Sequence, residues 1–103
     1  MSVEDNNITA AARRVLASYW ADLTQLNIRT VAGIIYISGC MRRMTFEHAE
    51  MDERILSQLD ADLRAIEGVR ETVYDLDNWV VDDRAMWKRV APSHRKERPP
   101  EDF

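Results

Sequence analysis

A chain of 103 residues, 46% apolar and with three Trp, three Tyr and two Phe, supplies one modest hydrophobic core, which excludes disorder throughout and favours a single domain. Fourteen Lys plus Arg against eighteen Asp plus Glu leave a formal net charge of −4, so a whole-surface polyanion binder is excluded and any lipid or nucleic-acid contact has to be a local basic patch. The only cysteine, Cys40, excludes an internal disulfide and demands no oxidising compartment.

Ile8, Ala12, Val15, Leu16, Tyr19, Trp20 and Leu23 recur at three- and four-residue spacings. This predicts a first helix over residues 7–24, capped by Asn6 or Asn7, behind a flexible N-terminus of residues 1–6. From Leu26 the period falls to two, with Leu26, Ile28 and Thr30 alternating with Asn27 and Arg29, and predicts a strand that ends in a turn at Ala32 and Gly33. The β-branched and aromatic run Ile34, Ile35, Tyr36, Ile37, Ser38 predicts a second strand, paired to the first and leaving at Gly39.

Thr45 is an N-cap candidate, and Glu47, Glu50, Asp52 and Glu53 cluster just beyond it, where a helix dipole favours acids. The second helix is expected to run to Glu67 and stop at Gly68, with Ile55, Leu56, Leu59, Leu63 and Ile66 inward and Asp60, Asp62 and Arg64 on the other side. Residues 69–76 read as a third strand, with Tyr74 and Leu76 inward and Asp75 and Asp77 in water. These elements make an α+β domain over residues 7–81: an α-β-β-α-β unit, with a three-stranded sheet and both helices on one face. Asp82 or Asp83 is expected to cap a short C-terminal helix over residues 82–91, and residues 92–103 have almost nothing to bury and read as a disordered tail.

Residues 1–7 are acidic and lack the basic start and apolar run of a secretory signal, and no stretch approaches the roughly 20 apolar residues of a membrane span. A cytoplasmic protein is the expectation.

The order helix, strand, Gly turn, strand, Gly, helix, Gly-Val, strand resembles the BON domain, a small bacterial module. The residues that carry the resemblance are Gly33, Ile35, Ile37, Gly39 and Met41 at alternate positions, then Gly68 and Val69 after the second helix. It covers residues 8–77. The segment from Thr45 to Gly68 is longer than the family's helix, and Thr72 stands where the family tends to place an apolar residue. The family is also typically exported and often in tandem copies. The resemblance implies a noncatalytic module that binds phospholipid surfaces or partner proteins.

Chemistry-bearing patterns are sparse. His48 has Asp52 one helical turn on and Glu47 beside it, a spacing compatible with two metal ligands, but a third strong ligand is missing and a charged helix start accounts for the pattern. Cys40 has no sequence-local base and reads as a small buried hydrophobe. Asp60 with Asp62, and Asp75 with Asp77, alternate with apolar residues and read as solvated faces rather than acid/base pairs. Phosphate loops, nucleophile elbows and zinc spacings do not occur in the sequence. No catalysis and no cofactor are expected.

Two surfaces remain. With both helices over Ile35, Ile37, Tyr74 and Leu76, the residues Ile34, Tyr36, Cys40 and Val73 face the other way, and such an apolar face calls for a cover. The candidates are the segment from Trp79 to Trp87 folding back, a second copy of the chain, or another protein, with homo-oligomerisation favoured. Arg42 and Arg43, with Lys88, Arg89, Arg95, Lys96 and Arg98, are the basic residues that an anionic lipid would use. The leading functional expectation is thus a BON-like interaction module. The alternatives are an accessory subunit of an enzyme complex and a KH-like RNA-binding domain, the latter opposed by the acidic balance and by a missing Gly-x-x-Gly loop.

Overall fold

A computed structural model describes residues 3–44, 51–84 and 86–90 of the chain. The first helix, α1, covers Val3–Ser18 and buries Asp5, Ile8, Ala12 and Leu16, one stripe at helical spacing. It begins and ends ahead of the expected 7–24. At its end Leu16 O accepts from Tyr19 N and Ala21 N, both at 3.1 Å, and Ala17 O accepts from Trp20 N at 2.9 Å. Trp20 sits at φ 66°, so the helix closes by a Schellman motif with tryptophan where glycine is usual. With no glycine to mark the stop, the apolar spacing of Tyr19, Trp20 and Leu23 reads straight through it. The start is fixed from a distance. The Asp5 carboxylate, only 7% exposed, accepts from Ala32 N and Gly33 N at 3.0 Å each, while Asn6 and Asn7 are exposed positions inside the helix.

A single 3-10 turn, Leu23–Gln25, capped by the Asp22 side chain, leads into β1, Leu26–Val31. Strand β2, Ile34–Gly39, pairs antiparallel with β1, and the pair Val31↔Ile34 leaves a two-residue turn. Its central residues Ala32 and Gly33 lie at φ 52° and 82°, the double positive φ of a type I′ hairpin. Alanine there costs about 1 kcal/mol relative to glycine, and the Asp5 carboxylate on both turn amides offsets it.

Helix α2 covers Glu53–Arg64, with Asp52 as its N-cap, accepting from Ile55 N at 2.8 Å, and Leu56, Leu59 and Leu63 buried. The expected cap Thr45, with Glu47, His48 and Glu50, lies outside the described residues. Strand β3, Glu71–Leu76, runs parallel to β2, giving a mixed sheet of order β1-β2-β3. The fold is therefore α+β, with the expected α-β-β-α-β order. The helices pack on the face carrying Thr30, Ile35, Ile37, Thr72 and Leu76, all buried. Thr9 of α1 donates to Thr30, and Thr72 and Tyr74 of β3 donate to Asp60 of α2.

The C-terminal segment corrects the sequence reading. In place of a helix over 82–91, strands β4, Trp79–Val81, and β5, Trp87–Arg89, form an antiparallel hairpin, a second small sheet. Asp82 is the reason. Its carboxylate accepts from Arg84 N and Met86 N at 2.9 Å each, and its own N–H donates to Met86 O at 3.0 Å, so the acid folds a turn instead of capping a helix. The residues of the expected tail, 92–103, lie outside the described ones.

Candidate functional site

Alternation in the three strands leaves Val31, Ile34 and Glu71 in one row of the opposite face, Arg29, Tyr36 and Val73 in the next, and Asn27, Ser38 and Asp75 in the third. Ile34, Tyr36 and Val73 are half-buried, and Val31 is 44% exposed. The Arg29 guanidinium lies over the Tyr36 ring at 4.8 Å from its centroid, holding the cation against an apolar surface that it partly screens. Between Arg29 and Asp75 runs a shallow groove of about 240 Å³ with Tyr36 and Val73 in its wall. Three of the expected surface residues are thus together on one face.

Trp79 and Trp87 are not part of it. They are 3% and 4% exposed, and Trp87 meets Tyr74, on the helix side of the sheet, edge to face with centroids 4.8 Å apart. The hairpin carries both indoles into the core instead of back across the open face. Period-two alternation puts them inward: in β4 and β5 the residues between, Val80 and Lys88, are exposed.

Cys40, Arg42 and Arg43 lie past the end of β2 and form a different place. Cys40 is half-buried, bonds Gln25 O through its N–H at 2.9 Å, and receives the Arg42 Nε at 3.1 Å on its sulfur. Arg42 O accepts from Asp22 N at 2.8 Å, Met44 N donates to Trp20 O at 2.7 Å, and Ala21 bridges Arg43 between them. The backbone thereby assembles Trp20, Arg42, Arg43 and Met44 into one corner, with Trp20 48% and Met44 65% exposed. Arg42 is exposed, whereas Arg43 is half-buried with its Nε out of solvent. The sequence reading missed Trp20 because it lies far from the arginines along the chain. The one available signal was an aromatic residue at the end of an apolar stripe.

Asp60 and Asp62 were expected on a solvated face, and here too the structure differs. Asp60 accepts from the Thr72 and Tyr74 hydroxyls at 2.7 and 2.6 Å and from Arg64 Nε at 2.8 Å, and Asp62 accepts from the Tyr19 hydroxyl. The hydroxyls of β3 and of the loop after α1 reach the flanks of α2 and tie it down. Desolvation, and then the Asp60 carboxylate, push the Tyr74 phenol well above the ordinary tyrosine range; desolvation and then Asp62 push Tyr19 up to about 12. A raised folded-state pKa means that the neutral phenol is favoured by folding. This contribution is fully present below pH about 10 and is lost as pH rises through 10 toward 12 and beyond. Urea melts are expected to show constant stability up to about pH 9.5 as far as these groups are concerned, then a fall of up to about 1.4 kcal/mol per pH unit from Tyr74 and a smaller one from Tyr19, whose interaction with Asp62 is screened by solvent. Tyr74→Phe removes its share of the alkaline slope.

No group of three or more His, Cys, Asp or Glu side chains among the described residues is arranged to hold a metal ion, and His48 lies outside them. None of the described helices is long and apolar enough to cross a membrane. In comparisons with known proteins, no protein-family model, no curated protein and no solved structure matches the chain.

Proposed function

We propose that this chain is a noncatalytic, BON-like interaction module that acts in the cytoplasm and docks a partner protein on the open face of its sheet. The observation that carries the reading is the row structure of that face: Val31, Ile34, Tyr36 and Val73 are contiguous, while both buried tryptophans are committed to the core on the other side. An apolar strip with a cation laid across its aromatic centre has the composition of an interface core with its polar rim. An enzyme for which this chain is an accessory subunit would be one such partner. The second reading, contact with an anionic lipid surface, is favoured by the corner where backbone pairing brings Trp20 and Met44, both exposed, onto the same short stretch as the exposed Arg42.

The test compares the intact protein with Tyr36→Glu and Arg42→Glu in two assays: capture of partners from the native cell, and cosedimentation with anionic liposomes. Tyr36→Glu is expected to weaken partner capture at least about tenfold, or 1.4 kcal/mol, with far-ultraviolet circular dichroism unchanged. Capture indifferent to Tyr36→Glu, together with liposome binding lost in Arg42→Glu and weakened by salt, would replace the first reading by the second.

A further inference from the structure

Resting on the docking reading above, we infer that the occupant of the open face is a second copy of this chain, packed face to face about a two-fold axis parallel to the strands. The inference comes from where charge sits on the face. Its basic residue, Arg29, is on one edge strand, β1, and its acids, Glu71 and Asp75, are on the other, β3, with the apolar residues of β2 between them. An axis parallel to the strands lays β1 of each copy over β3 of the other, keeping the rows in step. Arg29 then faces the partner's Val73, flanked by the partner's Glu71 and Asp75, and Tyr36 meets Tyr36. A two-fold axis across the strands would instead lay β1 on β1 and oppose Arg29 to Arg29. The charge pattern thus selects one of the two face-to-face arrangements and disfavours the other.

The cation–π contact sharpens this choice. Because Arg29 is stacked on Tyr36 at 4.8 Å rather than extended past the edge, its charge is already at the seam where the partner's carboxylates arrive. Glu71 is exposed at the start of β3, and Asp75 is exposed two rows further along the same strand.

Area sets the strength. Three strands about 4.8 Å apart and six residues long at about 3.3 Å per residue make a face of roughly 280 Å² in projection; even with the relief of its side chains this is a small patch beside the roughly 800 Å² of accessible surface that each partner buries in a standard stable interface. The expected assembly is a concentration-dependent dimer with Kd in the range of about 10 µM to 1 mM, not an obligate one.

Sedimentation equilibrium on the full chain from about 10 µM to 1 mM, at low and moderate salt, tests it. Dimerisation is expected, weakening as salt rises, and at least about tenfold weaker in Arg29→Glu and in the double variant Glu71→Lys, Asp75→Lys. Mixing those two variants restores association between them, which no general loss of folding could do. A monomer at every concentration, a dimer indifferent to Arg29→Glu, or a mixture that fails to associate while the wild type does, would each overturn the inference. The docking reading fails separately, through partner capture indifferent to Tyr36→Glu.

Discussion

Gly39→Ala is expected to lower the unfolding free energy by about 3 kcal/mol or more, enough to remove much of the stability of a domain this size. Gly39 ends β2 at φ 113°, a conformation that side chains rarely adopt and that costs about 1–3 kcal/mol by itself. A methyl group there would stand 2.2 Å from the backbone oxygen of Gln25. That oxygen has no freedom to withdraw, because it accepts the Cys40 N–H at 2.9 Å while Gly39 O accepts Asp77 N–H at 2.7 Å. Relief requires β2 to separate from β1 at the register pair Leu26↔Gly39 or from β3 at Gly39↔Leu76. Urea denaturation with an unchanged m-value measures the loss. A cost below about 1 kcal/mol would mean that the strand end relaxes freely and that Gly39 is only a convenient turn residue.

The same residue shows what kind of information the sequence carries. Gly33 and Gly39 are backbone requirements, and a glycine in a chain with only three of them is a visible sign of one. Alternation in residues 26–39 and 71–76 is likewise local, and the strands, the hairpin and the two faces of the sheet follow from it. The placement of Ile34, Tyr36 and Val73 on one face was legible for this reason. Other features were not, because they are settled between residues far apart in the chain. The Schellman stop at Trp20 lacks a glycine, and Asp5 anchors α1 by capping a turn that comes after β1. Asp60 and Asp62 look like solvated acids until Tyr19, Thr72 and Tyr74 bring hydroxyls to them. The C-terminal hairpin was hidden most completely. Asp82 carries the same sequence signal as a helix cap and as a turn former, and only the burial of Trp79 and Trp87 decides between them.

That hairpin is held by a buried asparagine, and Asn78→Ala is the second substitution with a large expected effect. Asn78 is 5% exposed. Its Oδ1 accepts Met41 N–H at 3.0 Å and its Nδ2 donates to Met41 O at 2.9 Å, so one side chain stands in for a strand neighbour to the loop after β2. Its own carbonyl accepts Val90 N–H at 2.8 Å, which closes the hairpin. Truncation leaves both backbone groups of Met41 unpaired beside a side chain only 1% exposed, and each unpaired buried group costs about 1–3 kcal/mol. The expected loss is about 2–4 kcal/mol, partly recovered if water enters. Asn78→Asp is expected not to rescue it, since a carboxylate accepts from Met41 N but opposes Met41 O. The second tether, Arg89, donates to Met51 O at 2.9 Å and lies 4.7 Å over the Trp79 ring; without Asn78 this exposed side chain is left to hold the hairpin near α2, which keeps the native fold in buffer but gives way first as urea rises. Tryptophan emission of Asn78→Ala should therefore shift to the red at lower urea than the helical circular dichroism falls, because Trp79 and Trp87 are exposed before the helices unfold. Coincident transitions, or a loss below about 1 kcal/mol, would show that the hairpin is held by its indoles alone.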